Sequence, residues 1–197
     1  LLPYIVPTLK ETFPDLEVFL YEAQTHQLLE QLETGRLDCA IVARVPETEA
    51  FIEVPIFDET MLLAVSEKHP WASESKIAMN TLKGQEMLML DDGHCLRNQA
   101  LDYCFTAGAK EDSHFQATSL ETLRNMVAAN AGITFMPELA VLNEGTRAGV
   151  KYIPCHSPEP SRTISLVYRP GSPLRNRYER VASAVSEQVK SILANKK

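Results

Sequence analysis

Four cysteines, Cys39, Cys95, Cys104 and Cys155, carry the most reactive side chains in this sequence. Cys95 has the setting that favours thiol chemistry. It follows an apolar run and opens a helical pattern, within Asp91-Asp92-Gly93-His94-Cys95-Leu96-Arg97. A thiol at a helix start lies near the positive end of the macrodipole, and neighbouring cations lower its pKa towards a nucleophilic thiolate. His94 and Arg97 can act as such cations. Asp91 and Asp92 work against them, by an amount set by where their side chains point. Cys39 and Cys155 sit in apolar strand patterns and read as inert buried thiols.

Cys104 follows nine positions after Cys95. On a continuous helix that spacing is a rise of about 13.5 Å, with the side chains on opposite faces. A disulfide needs the Cα atoms within about 7 Å. A standing helix and a bond between these two therefore exclude each other, and oxidation of the pair would rearrange structure, as a switch requires. Spacing alone does not select that reading, since Cys104 between Tyr103 and Phe105 reads more readily as a core residue.

Other chemistry has less support. Asp91 and Asp92 could hold a metal or exchange protons, but adjacent carboxylates at a strand end are more often solvated. Structural zinc favours close pairs such as C-x2-C, whereas eight residues separate the tightest cysteine pair; no metal is expected. His26, His69, His94, His114 and His156 show no i, i+4 ligand pattern. No G-x-S-x-G elbow, Walker loop or dinucleotide fingerprint occurs. No cofactor and no enzyme motif follow from the residues.

The elements around these groups alternate. Strands are expected at residues 16–21, 37–43, 51–57, 61–66, 86–90, 114–117, 133–136, 150–155 and 163–169. Helices are expected at 26–34, capped by Thr25 and stopped at Gly35, and at 95–107, closed by Gly108. A third runs over 119–130, with Thr118 and Glu121 as capping box and Gly132 at its end. Pro137 opens a short helix to Asn143, and a long helix spans 174–194. Tyr178, Val181, Ala182, Val185, Val189 and Ile192 share one face of that last helix. Alternation of this kind indicates an α/β fold with largely parallel sheet. Polar breaks at 67–75 and 157–160 suggest two crossings, giving one lobe of 1–65 with 166–197 and a second of 66–165. A cleft between two such lobes often binds a small ligand.

Composition limits the partners. With 26 acidic against 19 basic residues the formal charge is −7, which repels phosphate backbones, so any DNA reading belongs to another segment. No apolar run reaches the roughly 18 residues of a membrane span. The sequence starts at Leu1 inside a helical pattern, so it is expected to be a fragment cut near a domain edge.

Residues 90–104 (LDDGHCLRNQALDYC), 117–132 (ATSLETLRNMVAANAG), 168–178 (YRPGSPLRNRY), 22–29 (EAQTHQLL) and 51–59 (FIEVPIFDE) resemble LysR-type transcriptional regulators. The GHCLR element, with a second cysteine nine positions on, is specific to the branch of that family that senses hydrogen peroxide. The resemblance implies two Rossmann-like lobes joined by crossing strands, as in type 2 periplasmic binding proteins. It implies that Cys95 is the peroxidatic cysteine and Cys104 the resolving one, paired as a reversible disulfide. Thr25, His94 and Arg162 would line the peroxide pocket, with Arg97 beside the thiol. The resemblance further implies a cytoplasmic homodimer or homotetramer, a glutaredoxin or thioredoxin as reductant, and no membrane association. DNA would be bound only through an N-terminal winged helix-turn-helix absent from this fragment, and RNA polymerase would be a partner of the full-length protein. Asn98 departs from the pattern, standing where a well-known member has an aspartate. Two rival readings are an effector domain binding a small organic acid and a thiol peroxidase. A periplasmic solute-binding protein fits the lobes but leaves the Cys95 setting unexplained.

Overall fold

The sequence folds as an α/β protein, and the computed structural model describes residues 1–92, 95–142, 149–156 and 158–195. They form two compact units, Leu1–Asp58 with Thr163–Lys197, and Glu59–Arg162.

In the first unit, helix α1 (Leu2–Thr12) packs on helix α5 (Arg175–Ala194). Tyr178, Ala182, Val185 and Val189 are the buried residues of α5, recurring at helical spacing. Ile5 and Leu9 are those of α1. Helix α2 (Thr25–Glu33) leads into β1 (Cys39–Ala43), which pairs antiparallel with β7 (Ser161–Tyr168). Leu29, Leu32, Ala40, Val42 and Val167 form the core there. Arg169 donates to the Leu32 and Leu37 carbonyls, fixing the turn between α2 and β1. Gly35 takes φ +79°, which only glycine adopts cheaply.

The second unit is built on β2 (Ile52–Ser66), β3 (Glu86–Leu90), α3 (Cys95–Ala107), β4 (Lys110–Ala117), α4 (Leu120–Ala128), β5 (Thr134–Pro137) and β6 (Val150–Ile153). β5 and β6 pair antiparallel with β2, and the larger sheet runs β1-β7-β2-β5 with β6 also on β2. β3 and β4 pair in parallel through the α3 crossover, and Met87 of β3 bridges Ile133. Met87, Leu88, Met89 and Leu90 are all buried, as expected of a parallel strand covered on both faces. Gly132 lies so close to Leu88 that a Cβ there would come within 2.7 Å of its Cγ. The close approach of that backbone to β3 therefore requires glycine.

Several expectations change. Residues 16–21 form no strand, and Phe19, Leu20 and Tyr21 are exposed; a β-prone run becomes a strand only where a neighbouring strand takes up its N–H and C=O groups. The strands expected at 51–57 and 61–66 are one continuous strand, β2. Asp58 and Glu59 do not break it because both are held: the Thr163 hydroxyl donates to Asp58 and Arg162 pairs with Glu59. The division between the two units falls within this strand, between Asp58 and Glu59. Thr25 is the first residue of α2 and Gln24 precedes it as the cap, its N–H donating to Gln27 Oε1 at 3.3 Å. Ser119, not Thr118, caps α4, its hydroxyl accepting the Thr122 N–H at 3.1 Å. The short helix after Pro137 shrinks to a 3-10 turn at Glu138–Ala140, and Asn143 lies outside the described residues. Among the described residues no helix is long and apolar enough to cross a membrane.

Candidate thiol site

Cys95 is the first residue of α3 and half-buried, while Cys104 is 0% exposed in the same unbroken helix. The buried residues of α3 are Leu96, Arg97, Ala100 and Cys104, the stripe that faces the core. Cys95 lies off that stripe, since nine steps of 100° turn it to the other side. Cys104 Sγ sits 3.0 Å from Met87 Sδ on β3. All four cysteines are free thiols.

Burial sets the thiols apart. Burial first and the Glu111 charge second push Cys104 up to about 12. Burial, reinforced by Asp38, pushes Cys39 up to about 11, and burial with Glu159 does the same for Cys155. These three hold their protons at neutral pH and are poor nucleophiles. The folded Cys104 keeps its proton to about pH 12, whereas an unfolded thiol releases it near 9. Stability from this group is therefore complete below pH 9 and is lost as pH rises through 12. A Cys104→Ala variant, compared with the parent by urea unfolding across pH 9–11, should show a decline shallower by about 1.4 kcal/mol per pH unit. Equal slopes would contradict the assignment.

Arg97 does not point its charge at solvent. Its Nη1 and Nη2 donate to Glu111 Oε1 and Oε2 at 2.5 and 3.0 Å, its Nε to Asp92 Oδ1 at 2.9 Å, and Nη1 also to the Leu90 carbonyl at 3.2 Å. The paired Glu111 carboxylate, more than Asp92, keeps this guanidinium charged. Asp92 and Glu111 together therefore compensate the Arg97 charge. Arg162 is likewise paired, donating Nε–H and Nη2–H to Glu59 Oε2 at 2.8 and 2.6 Å. Glu59 has a side chain only 5% exposed, and its other oxygen accepts the Leu139 N–H at 3.3 Å. The phenol of Tyr103, one residue before Cys104, donates to the Ser161 carbonyl at 2.6 Å and accepts the Ser161 N–H at 3.1 Å.

The structure thus puts Cys95, Arg97, Cys104 and Arg162 in the second unit and Thr25, half-buried, in the first. His94 lies outside the described residues. Sequence reasoning missed Glu111, Glu59 and Met87. The strand expected at 114–117 begins at Lys110, and the shorter expectation left Glu111 outside it.

The chain belongs to the LysR substrate binding domain family, whose model matches residues 1–190. It is 91% identical over 193 residues to a "Hydrogen peroxide-inducible genes activator" of Haemophilus influenzae, covering 98% of this chain and 64% of that protein. It therefore spans under two thirds of that relative's length. A crystal structure of the oxidised form of OxyR superposes with a TM-score of 0.87 at 62% identity, covering 96% of this chain and 90% of that one. The reduced form of OxyR gives 0.88 at 59% identity, covering 96% and 89%.

Proposed function

We propose that this chain is the regulatory part of a DNA-binding transcription regulator and senses hydrogen peroxide through Cys95 and Cys104. The observation that carries the reading is the contrast within α3: a half-buried thiol at its first residue and a fully buried one nine residues on, in one unbroken helix. The similarity to peroxide-inducible activators supports it.

The Cys95 thiolate attacks one peroxide oxygen, the O–O bond breaks, and the other oxygen leaves as hydroxide, giving a sulfenic acid. Sulfur loses two electrons and peroxide gains them. Hydroxide departure needs hydrogen-bond donors, and Arg162 is suited to this: two N–H groups go to Glu59, and a guanidinium carries five. Once α3 opens, the Cys104 thiol attacks the sulfenic sulfur, water leaves, and the disulfide fixes the rearranged segment. A dithiol reductant of the glutaredoxin or thioredoxin type returns two electrons and resets the pair. The cytoplasm, which keeps thiols reduced, suits this cycle. The acidic charge of this chain fits DNA contact through another domain of the full-length protein, which would act as a homodimer or homotetramer with RNA polymerase as a partner.

Peroxide titration followed by mass spectrometric thiol mapping tests the reading. One equivalent should convert the Cys95 and Cys104 thiols to a single disulfide, with no continued turnover. A Cys39–Cys155 bond, or an untouched Cys95, would refute it; many turnovers with added dithiol would favour a peroxidase.

A further inference from the structure

We infer that Glu111 is a positioning residue of the thiol switch: its carboxylate grips Arg97 and holds α3 in the helical form that keeps Cys95 and Cys104 apart. This rests on the proposed peroxide-sensing role. α3 has few fully buried apolar anchors, with Leu101, Tyr103 and Ala107 packed against the core only in part. Of its four buried residues, one is the charged Arg97, one is Ala100 and one is Cys104 itself, leaving Leu96 as the only large apolar side chain. Helices with little apolar burial open at low free energy. The two-pronged ion pair is then the strongest attachment of the N-terminal half of α3, because charge-assisted forked bonds are about twice as strong as neutral ones.

β4 is shaped to deliver that carboxylate. Its register opposite β3 jumps from Met87↔Glu111 to Met89↔Gln116, so β4 spends five steps where β3 spends two. Irregularities of this kind re-aim side chains beside functional sites. Gln116, on the far side of the bulge, donates to Glu111 Oε1 at 3.3 Å. The same carboxylate also bears on Cys104, helping keep that thiol protonated. Glu111 thus acts on both ends of the switch, restraining the helix that separates the cysteines and quieting the one that must close the bond.

The test uses Glu111→Gln in the whole chain, with two kinds of measurement. In reduced protein without peroxide, amide hydrogen exchange in α3 and alkylation of Cys104 by N-ethylmaleimide should each rise at least about tenfold, while α4 and α5 keep their protection. With peroxide, closure of the disulfide should accelerate more than sulfenic acid formation at Cys95 does. Unchanged α3 exchange in folded protein overturns the inference, as does an equal loss of protection across α4 and β5. Glu111→Asp keeps the charge but shortens its reach; it should shift the same readouts less, and stands in if the glutamine variant does not fold. A parent protein that peroxide leaves unoxidised would sink the sensor reading alone, because the exchange and alkylation arms need no peroxide.

Discussion

With Cys104 replaced by serine, one equivalent of hydrogen peroxide should leave Cys95 as a sulfenic acid, form no disulfide, and leave α3 helical. The unsubstituted protein given the same dose should close the Cys95–Cys104 bond and lose amide protection along α3. The two outcomes follow from one geometric conflict. The cysteines stand about 13.5 Å apart along an unbroken helix and on opposite sides of it, and a disulfide tolerates about 7 Å between Cα atoms. The helix must unwind across most of the intervening residues, and Cys104 must leave a fully buried site beside Met87. Uncovering that side chain and emptying its place costs on the order of 1–3 kcal/mol. Trapping with a sulfenic-acid-specific nucleophile, together with hydrogen exchange, reads both variants. A helical α3 in fully oxidised parent protein would overturn the switch, and so would an intact disulfide in the serine variant.

Replacing Arg162 by leucine should destabilise the protein by about 3–5 kcal/mol, and adding Glu59→Gln should recover most of that loss. The single variant strands a carboxylate whose side chain is only 5% exposed and which was neutralised by Arg162 at 2.6 Å. Glutamine removes the charge and still accepts the Leu139 N–H that Glu59 now satisfies. Urea unfolding of the two single variants and the pair gives the coupling directly. A loss below about 1 kcal/mol for Arg162→Leu would mean that the ion pair is not a structural element. The pair of variants also separates stability from chemistry. If Arg162 assists the departing hydroxide, the refolded double variant should still oxidise Cys95 slowly; normal oxidation would remove that role.

Both predictions depend on residues that differ in how far they could be read from the sequence. β3 and α3 fall where periodicity and the closing glycine put them, because a short apolar run and a capped helix are local statements. Cys95 at the helix start was legible for the same reason. The counter-charges were not. Glu59 meets Arg162 across 103 positions, and Glu111 meets Arg97 across fourteen, through a bulge that no local pattern announces. Local reading therefore counted Arg97 as a free cation beside the thiol, whereas folding commits it to Glu111 and Asp92. The run at 16–21 erred the other way. Its composition suits a strand, but strand formation depends on a neighbour that composition does not specify.

The burial of Cys104 also bears on timing. A sulfenic acid waiting on Cys95 has two fates: closure by Cys104, or a second peroxide carrying it to the irreversible sulfinic state. Closure must wait for the helix to open, a first-order process indifferent to peroxide, while the second oxidation quickens in proportion to dose. In the proposed sensing role, the fully enclosed Cys104 would therefore set an upper working limit. Below that limit each hit would be recorded reversibly; above it the recorder itself would be consumed, and only new synthesis would restore it.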